Sequence, residues 1–113
     1  IGQGSLADFG ISYRQLELTP QGTIDWTALQ TAIKPNTRLA LIQRSCGYSW
    51  RQSLSIDEIE KIVYIIKQQN PDTVCFVDNC YGEFIDTKEP TAVGADLMAG
   101  SLIKNPGGTI VTA

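Results

Sequence analysis

Ser55-Ile-Asp-Glu-Ile-Glu-Lys-Ile-Val-Tyr-Ile-Ile-Lys-Gln-Gln-Asn70, followed after Pro71-Asp72 by Thr73-Val-Cys-Phe-Val-Asp78, is the stretch that decides the fold. Ser55 and Glu58 stand at the spacing of a capping box, in which each side chain satisfies the other residue's free backbone N–H. Ile56, Ile59, Val63 and Ile66 then share one stripe, while Asp57, Glu60, Lys61 and Lys67 lie elsewhere. That is the pattern of an amphipathic helix. Asn70-Pro71 ends it, because the residue before proline disfavours helical backbone. The short apolar run that follows reads as a strand closing in Asp78. A helix feeding a strand is half of a crossover unit.

Working outward toward the N-terminus, Arg38-Leu-Ala-Leu-Ile-Gln43 reads as a buried strand, with Gly47 to Arg51 a loop between it and the helix. Asp25 sits where an N-cap belongs, before Trp26, Leu29 and Ile33 at helical spacing, and Pro35 stops that helix. Thr19-Pro-Gln-Gly22 is a turn. Ile11 to Leu18 alternates apolar and polar residues over most of its length, which predicts a half-buried strand. Toward the C-terminus, Glu89 to Val93 reads as a short helix and Asp96 to Ile103 as a strand. Lys104-Asn-Pro-Gly-Gly108 reads as a turn, and from Thr109 a strand hairpins back. Strand, helix, strand, helix, strand predicts an α/β fold with a mostly parallel sheet, flanking helices and right-handed crossovers. There are no repeats, low-complexity tracts or interdomain linkers.

The 113 residues, 42% of them hydrophobic, suffice for one core. The chain opens on Ile1 rather than Met and stops within a strand-like run, which leads us to expect a fragment of a longer protein. Net charge is −3, with no basic block to meet phosphates, so no nucleic-acid partner is expected. No apolar stretch approaches the roughly 20 residues of a membrane helix, and no secretory signal is visible. Cys46, Cys75 and Cys80 cannot all pair within one chain, and with no histidine their spacing fits no zinc motif. Reduced thiols in a cytoplasmic protein are the simplest account. The absence of histidine also excludes a Cys-His or Ser-His-Asp arrangement within this segment.

In open α/β sheets, ligands bind outside the carboxyl ends of the strands. Three polar clusters fall there: Gln43-Arg44-Ser45, Asp78-Asn-Cys-Tyr81, and Ser101 to Gly108. Lys104 follows an apolar run and precedes Asn-Pro-Gly-Gly, so its amine is held at a strand's end, where a lysine can act as a nucleophile toward a carbonyl. The plainer alternative is a solvated charge. Asp78 could cap the next turn, bind a metal, or pair with a pyridinium nitrogen. Gly107-Gly108 fits a hairpin turn as well as a phosphate site. No nucleotide-binding glycine pattern is present.

Phe76-Val-Asp-Asn-Cys-Tyr-Gly-Glu-Phe84, Gly94-Ala-Asp-Leu-Met-Ala-Gly-Ser-Leu-Ile-Lys-Asn-Pro-Gly-Gly108 and Ile42-Gln-Arg-Ser-Cys-Gly-Tyr-Ser-Trp-Arg51 together resemble the fold-type-I pyridoxal 5'-phosphate (PLP) enzymes. More narrowly they are similar to the cystathionine β-lyase/methionine γ-lyase-like family labelled aluminium resistance proteins. The resemblance spans essentially the whole chain, with Cys46 standing where arginine is commoner. It implies that residues 1–113 are part of the large PLP-binding domain, with an N-terminal part and a small C-terminal domain outside the chain. It implies Lys104 as the lysine that forms the Schiff base with the cofactor and later moves the substrate's Cα proton. Asp78 would be the pyridinium partner, Ser101 a phosphate-holding hydroxyl, and Tyr81 a neighbour of the cofactor's O3′ side. Gln43, Arg44, Tyr48 and Trp50 would line the mouth, where substrate enters.

The implied function is carbon–sulfur lyase action on a sulfur-containing amino acid, in a cytoplasmic homo-oligomer, a dimer or tetramer. The segment alone is expected to be inert. Alternatives stay open: an aminotransferase would share Lys104 and Asp78, and a non-catalytic scaffold would keep the fold alone. Arg44 could be a structural ion-pair residue, and Tyr48 and Trp50 could cover the sheet edge.

Overall fold

The computed structural model describes residues 4–107. The capping box closes as its spacing predicts. Ser55 Oγ accepts the Glu58 N–H at 3.2 Å, and Glu58 Oε2 accepts the Ser55 N–H at 2.8 Å. An N-cap of this kind stabilises a helix by about 1 kcal/mol. From it, helix α2 runs Ile56–Gln69 and buries Ile59, Ile62, Val63, Ile65 and Ile66. The shorter α1, Trp26–Ala32, is capped by Asp25, whose Oδ1 accepts the Ala28 N–H at 2.8 Å.

Three strands, β1 (Leu39–Gln43), β2 (Val74–Asp78) and β3 (Leu97–Ala99), form a parallel sheet in the order β1-β2-β3. The register pairs Ile42 with Val77, Gln43 with Asp78, and Asp78 with Ala99. Alternation along the strands puts Ile42, Cys75 and Val77 on the face toward α2. There they form the core with Ile59, Ile62, Val63 and Ile66, joined by Leu29, Val93 and Ala95. Burying one aliphatic side chain fully stabilises by about 1.5–3 kcal/mol, so this interface is the main support of the fold.

Polar ties hold the ends of the layers. Buried Asn70, just past α2, donates through Nδ2 to the carbonyls of Lys34, Pro35 and Thr37 at 3.1, 3.2 and 3.2 Å. Asp96 enters β3 with its Oδ2 accepting the Cys75 N–H at 2.7 Å and facing Lys67 Nζ at 2.8 Å. The Cys75 hydrogen bond first, and Lys67 second, hold the Asp96 carboxyl below the usual carboxylate range. Burial pushes the Cys75 thiol up, the ordinary behaviour of a small core cysteine.

Several expectations need correction. Residues 11–18 form no strand; Ile11, Tyr13, Leu16 and Leu18 remain exposed because no neighbouring strand among the described residues pairs with them. Alternation marks a segment suited to a ladder but does not supply its partner. The strand predicted over 96–103 stops at Ala99. β2 has already ended at Asp78, and the last ladder bond runs from the Asn79 N–H to the Ala99 carbonyl at 2.7 Å. β1 is not buried on both faces: Leu39 and Leu41 are 51% and 58% exposed, as is Leu97 at 55% on β3. The short helix over 89–93 is a 3-10 turn, Pro90–Val93. The strand expected from Thr109 lies outside the described residues.

Candidate active site

The carboxyl ends of β1, β2 and β3 deliver Arg44, Asp78 and the turn 101–107 to one edge of the sheet. After Asp78 the chain folds tightly on itself. The Cys80 N–H lies 3.1 Å from Asp78 Oδ1, and the Gly82 N–H donates to the Asn79 carbonyl at 2.8 Å. Tyr81 and Phe84 take left-handed backbone, with φ of 66° and 61°. For residues other than glycine such a conformation costs about 1 kcal/mol or more, so the surrounding contacts must impose it.

Lys104 lies in an irregular helical turn, Ile103–Gly107, kinked at Asn105. Its Nζ is 3.9 Å from Cys80 Sγ and 5.4 Å from the centre of the Tyr81 ring. The neighbouring Asp78 pushes the Cys80 thiol above its usual range, so Cys80 meets the carboxylate through its backbone N–H and the lysine amine through its sulfur. Among the described residues Lys104 has no ion-pair partner; the pairs are Arg44 with Asp86 and Lys67 with Asp96. The structure therefore brings Asp78, Tyr81 and Lys104 together around Cys80. Ser101 begins the same turn, its carbonyl accepting the N–H groups of Lys104 and Asn105 at 2.8 and 3.1 Å.

Arg44 stands apart in character. It is buried, and its guanidinium is committed to protein acceptors. Nη1 donates to Asn79 Oδ1 and to the Gly82 carbonyl, both at 2.9 Å, Nε donates to the Leu54 carbonyl at 3.3 Å, and Nη2 pairs with Asp86. That is the arrangement of the structural ion-pair alternative, and it leaves little of the side chain for a substrate. Gly82 must be glycine here, since a Cβ would lie 2.6 Å from Arg44 Cδ. Tyr48 and Trp50 project fully into solvent and cover no sheet edge. Gln43 is exposed at the end of β1.

Three residues with evident structural duties escaped the sequence reading. Asn79 is buried, accepts from Arg44 and donates to Glu89 Oε2 at 2.8 Å. Glu83 is buried, and its Oε1 accepts the Ser101 N–H. Asn105 donates to the Glu83 carbonyl at 2.6 Å. The available signal was a lone charged residue, Glu83, in an otherwise uncharged run after a strand. A cleft of about 220 Å³ opens beside it, lined in part by Phe84, Met98 and Leu102. Among the described residues no group of three or more His, Cys, Asp or Glu could hold a metal ion, and no helix is long and apolar enough to cross a membrane.

Comparison with known proteins agrees with the motifs quoted above. The uncharacterised protein YnbB of Bacillus subtilis is 54% identical over 105 residues, which cover 93% of this chain and 25% of that protein. A candidate cystathionine beta-lyase involved in aluminum resistance from Listeria innocua superposes with a TM-score of 0.89 at 54% identity, over 96% of this chain and 26% of that one. A carbon-sulfur lyase involved in aluminum resistance from Clostridium novyi gives 0.82 at 48% identity, over 91% and 24%. The chain thus spans about a quarter of the length of these relatives. The sequence model described as methionine gamma-lyase matches residues 1–113, so the chain belongs to the methionine gamma-lyase family.

Proposed function

We propose that residues 1–113 are the cofactor-attaching segment of a PLP-dependent carbon–sulfur lyase acting on a sulfur-containing amino acid. The observation that carries this reading is the meeting of the Lys104 amine and the Asp78 carboxylate at one residue, Cys80, whose sulfur faces the amine and whose N–H bonds the carboxylate, with the amine free of any ion pair among the described residues. Lys104 is itself exposed, as a solvated lysine would be, so it is the place of its amine beside Cys80 that bears on its role. The donor set fits PLP: an amine for its aldehyde (Lys104), a carboxylate for its ring nitrogen (Asp78), a hydroxyl for its phosphate (Ser101) and an aromatic neighbour (Tyr81). Family membership and the carbon-sulfur lyase named among the relatives support the same chemistry.

When bound, PLP supplies an aldehyde for covalent capture of amines and a ring that withdraws electrons from a substrate's Cα. Asp78 keeps the ring nitrogen protonated by offering its carboxylate as acceptor. Lys104 takes the Cα proton and returns it, a role that commonly contributes about 10²- to 10⁴-fold. The cleaved bond would be carbon–sulfur, and with one water consumed in releasing the nitrogen the products would be a thiol, ammonia and an oxo acid. Three free cysteines agree with a reducing, cytoplasmic setting. Residues 1–113 alone are inert on this reading, because the rest of the large domain, the small domain and a second subunit complete the site of a homo-oligomer.

The test uses the full-length polypeptide that carries these residues. Borohydride reduction with added PLP, followed by peptide mapping, is expected to leave a pyridoxyl group on Lys104 and none in Lys104→Ala. Incubation with cystathionine is expected to release thiol and ammonia. Transfer of the amino group to a keto acid without thiol release would identify an aminotransferase instead, and no adduct at all would identify a scaffold.

A further inference from the structure

Glu83 is a buried carboxyl group, 7% exposed. Among the described residues it enters no ion pair and its buried Oε2 has no hydrogen-bond partner. Burying a polar oxygen without a hydrogen-bond partner is costly, so a fold that keeps one draws some return from it. What Glu83 touches is the turn that carries Lys104. Its Oε1 accepts the N–H of Ser101, three residues before the lysine. Its backbone carbonyl accepts from Asn105 Nδ2 at 2.6 Å, one residue after the lysine. Its stem lies so close over Gly100 that a Cβ there would come within 2.9 Å of Glu83 Cγ. The turn is thus gripped on both sides of Lys104 by a single residue. That residue is itself fixed between the left-handed Tyr81 and Phe84. The Phe84 N–H is anchored in turn on Glu89 Oε1 at 2.8 Å.

We infer that Glu83 is the positioning residue for Lys104: its carboxylate and carbonyl clamp the 101–105 turn and hold the lysine amine at the Asp78 edge of the sheet. This rests on the reading of Lys104 proposed above and adds to it a residue that acts through the 101–105 turn. The carboxylate matters here as a hydrogen-bond acceptor at a defined point, because the group it serves is an uncharged backbone N–H. A neutral isostere with an oxygen in the same place therefore preserves the clamp, whereas truncation abolishes it. Gly100 belongs to the same device, since any side chain at that position displaces Glu83 from the turn.

The experiment compares Glu83→Gln, Glu83→Ala and Gly100→Ala in the full-length polypeptide by two readouts other than turnover. The first is amide hydrogen exchange of residues 101–107 in protein stripped of PLP. The second is the yield of pyridoxyl-Lys104 after borohydride reduction at limiting PLP, expressed per folded molecule. Loss of a buried hydrogen bond predicts, in Glu83→Ala and Gly100→Ala, exchange about 10-fold faster in the turn and a comparable fall in adduct yield. Glu83→Gln retains both. If the wild type shows no adduct at Lys104, the enzyme reading fails and the inference goes with it. If the wild type is labelled but Glu83→Ala and Gly100→Ala match it in exchange and yield, the clamp alone is refuted, even where their melting temperatures fall. Should Glu83→Ala fail to fold, Gly100→Ala reads the same displacement from the other side of the contact, and Glu83→Gln losing the adduct would equally overturn the argument.

Discussion

Replacing Arg44 with methionine separates a structural arginine from a substrate-binding one. Methionine keeps most of the stem's volume and removes the guanidinium alone. The bonds to Asn79 Oδ1 and the Gly82 carbonyl, both 2.9 Å, are well formed and buried, and each is worth about 1 kcal/mol or somewhat more with a charged donor. The 3.3 Å contact to Leu54 adds little. The ion pair with Asp86 is discounted to about 0.5–1 kcal/mol, because the Asp86 side chain is 39% exposed. The sum is about 3 kcal/mol, at the low end for breaking a buried pair from one side. That is a roughly 100-fold fall in the folded-to-unfolded ratio. Urea denaturation of the full-length polypeptide reads it, and Asp86→Asn, which leaves the buried bonds intact, is expected to cost under about 1 kcal/mol. If Arg44→Met instead cost less than about 1 kcal/mol while raising the KM for substrate about 10-fold, the arginine would be serving a ligand and the structural argument would be wrong.

Two further outcomes follow from neighbouring contacts. Gly82→Ala drives a Cβ to within 2.6 Å of Arg44 Cδ and Nη1 and is expected to cost about 2 kcal/mol as overpacking. Part of that cost should vanish in an Arg44→Ala background, which removes Cδ and Nη1 but leaves Asn79 Oδ1 2.5 Å from the added Cβ; fully additive denaturation free energies would disprove the coupling. Asp96→Asn removes the Lys67 pair and weakens the Cys75 bond, at a cost of about 1 kcal/mol near neutrality. The Asp96 carboxyl lies below its ordinary value in the folded state, so its contribution is fully present above about pH 4. It fades as pH falls through the lower folded-state value. Denaturation in a pH series should show the two proteins converging in acid, and a gap that widens there contradicts the linkage.

What the amino-acid order reveals, and what it hides, follows from the range of the interactions. Helix α2 is legible because its cap and its apolar stripe are set by residues three and four apart. Asp78 is legible as an ionisable group that closes an apolar strand, whereas Lys104, read at a strand's end, lies in a turn that begins four residues after β3 stops at Ala99. The Arg44–Asn79–Gly82–Asp86 network is not, because it joins residues 35 to 42 positions apart and leaves no periodic trace. Glu83 is hidden for the same reason: its partners, Gly100, Ser101 and Asn105, arrive only when β3 lines up beside β2. The misread strand over 11–18 is the converse case, a locally sound pattern whose partner the pattern does not name.

The register also decides from which side the site is built. Side chains alternate along β2, so Asp78 shares its face with Phe76 and Val74, opposite the Cys75 and Val77 that meet α2. Leu39, Leu41 and Leu97 lie on that same face and are exposed. Parallel sheets are normally covered on both sides, because their strands carry apolar residues toward both. A layer covering those leucines would lie on the same side of the sheet as the Asp78 carboxylate. Helix α2 fixes where the strand ends stand, but it lies behind the sheet from the carboxylate's point of view. The core contacts that secure this fold and the Asp78 side chain thus lie on opposite faces of one three-stranded sheet.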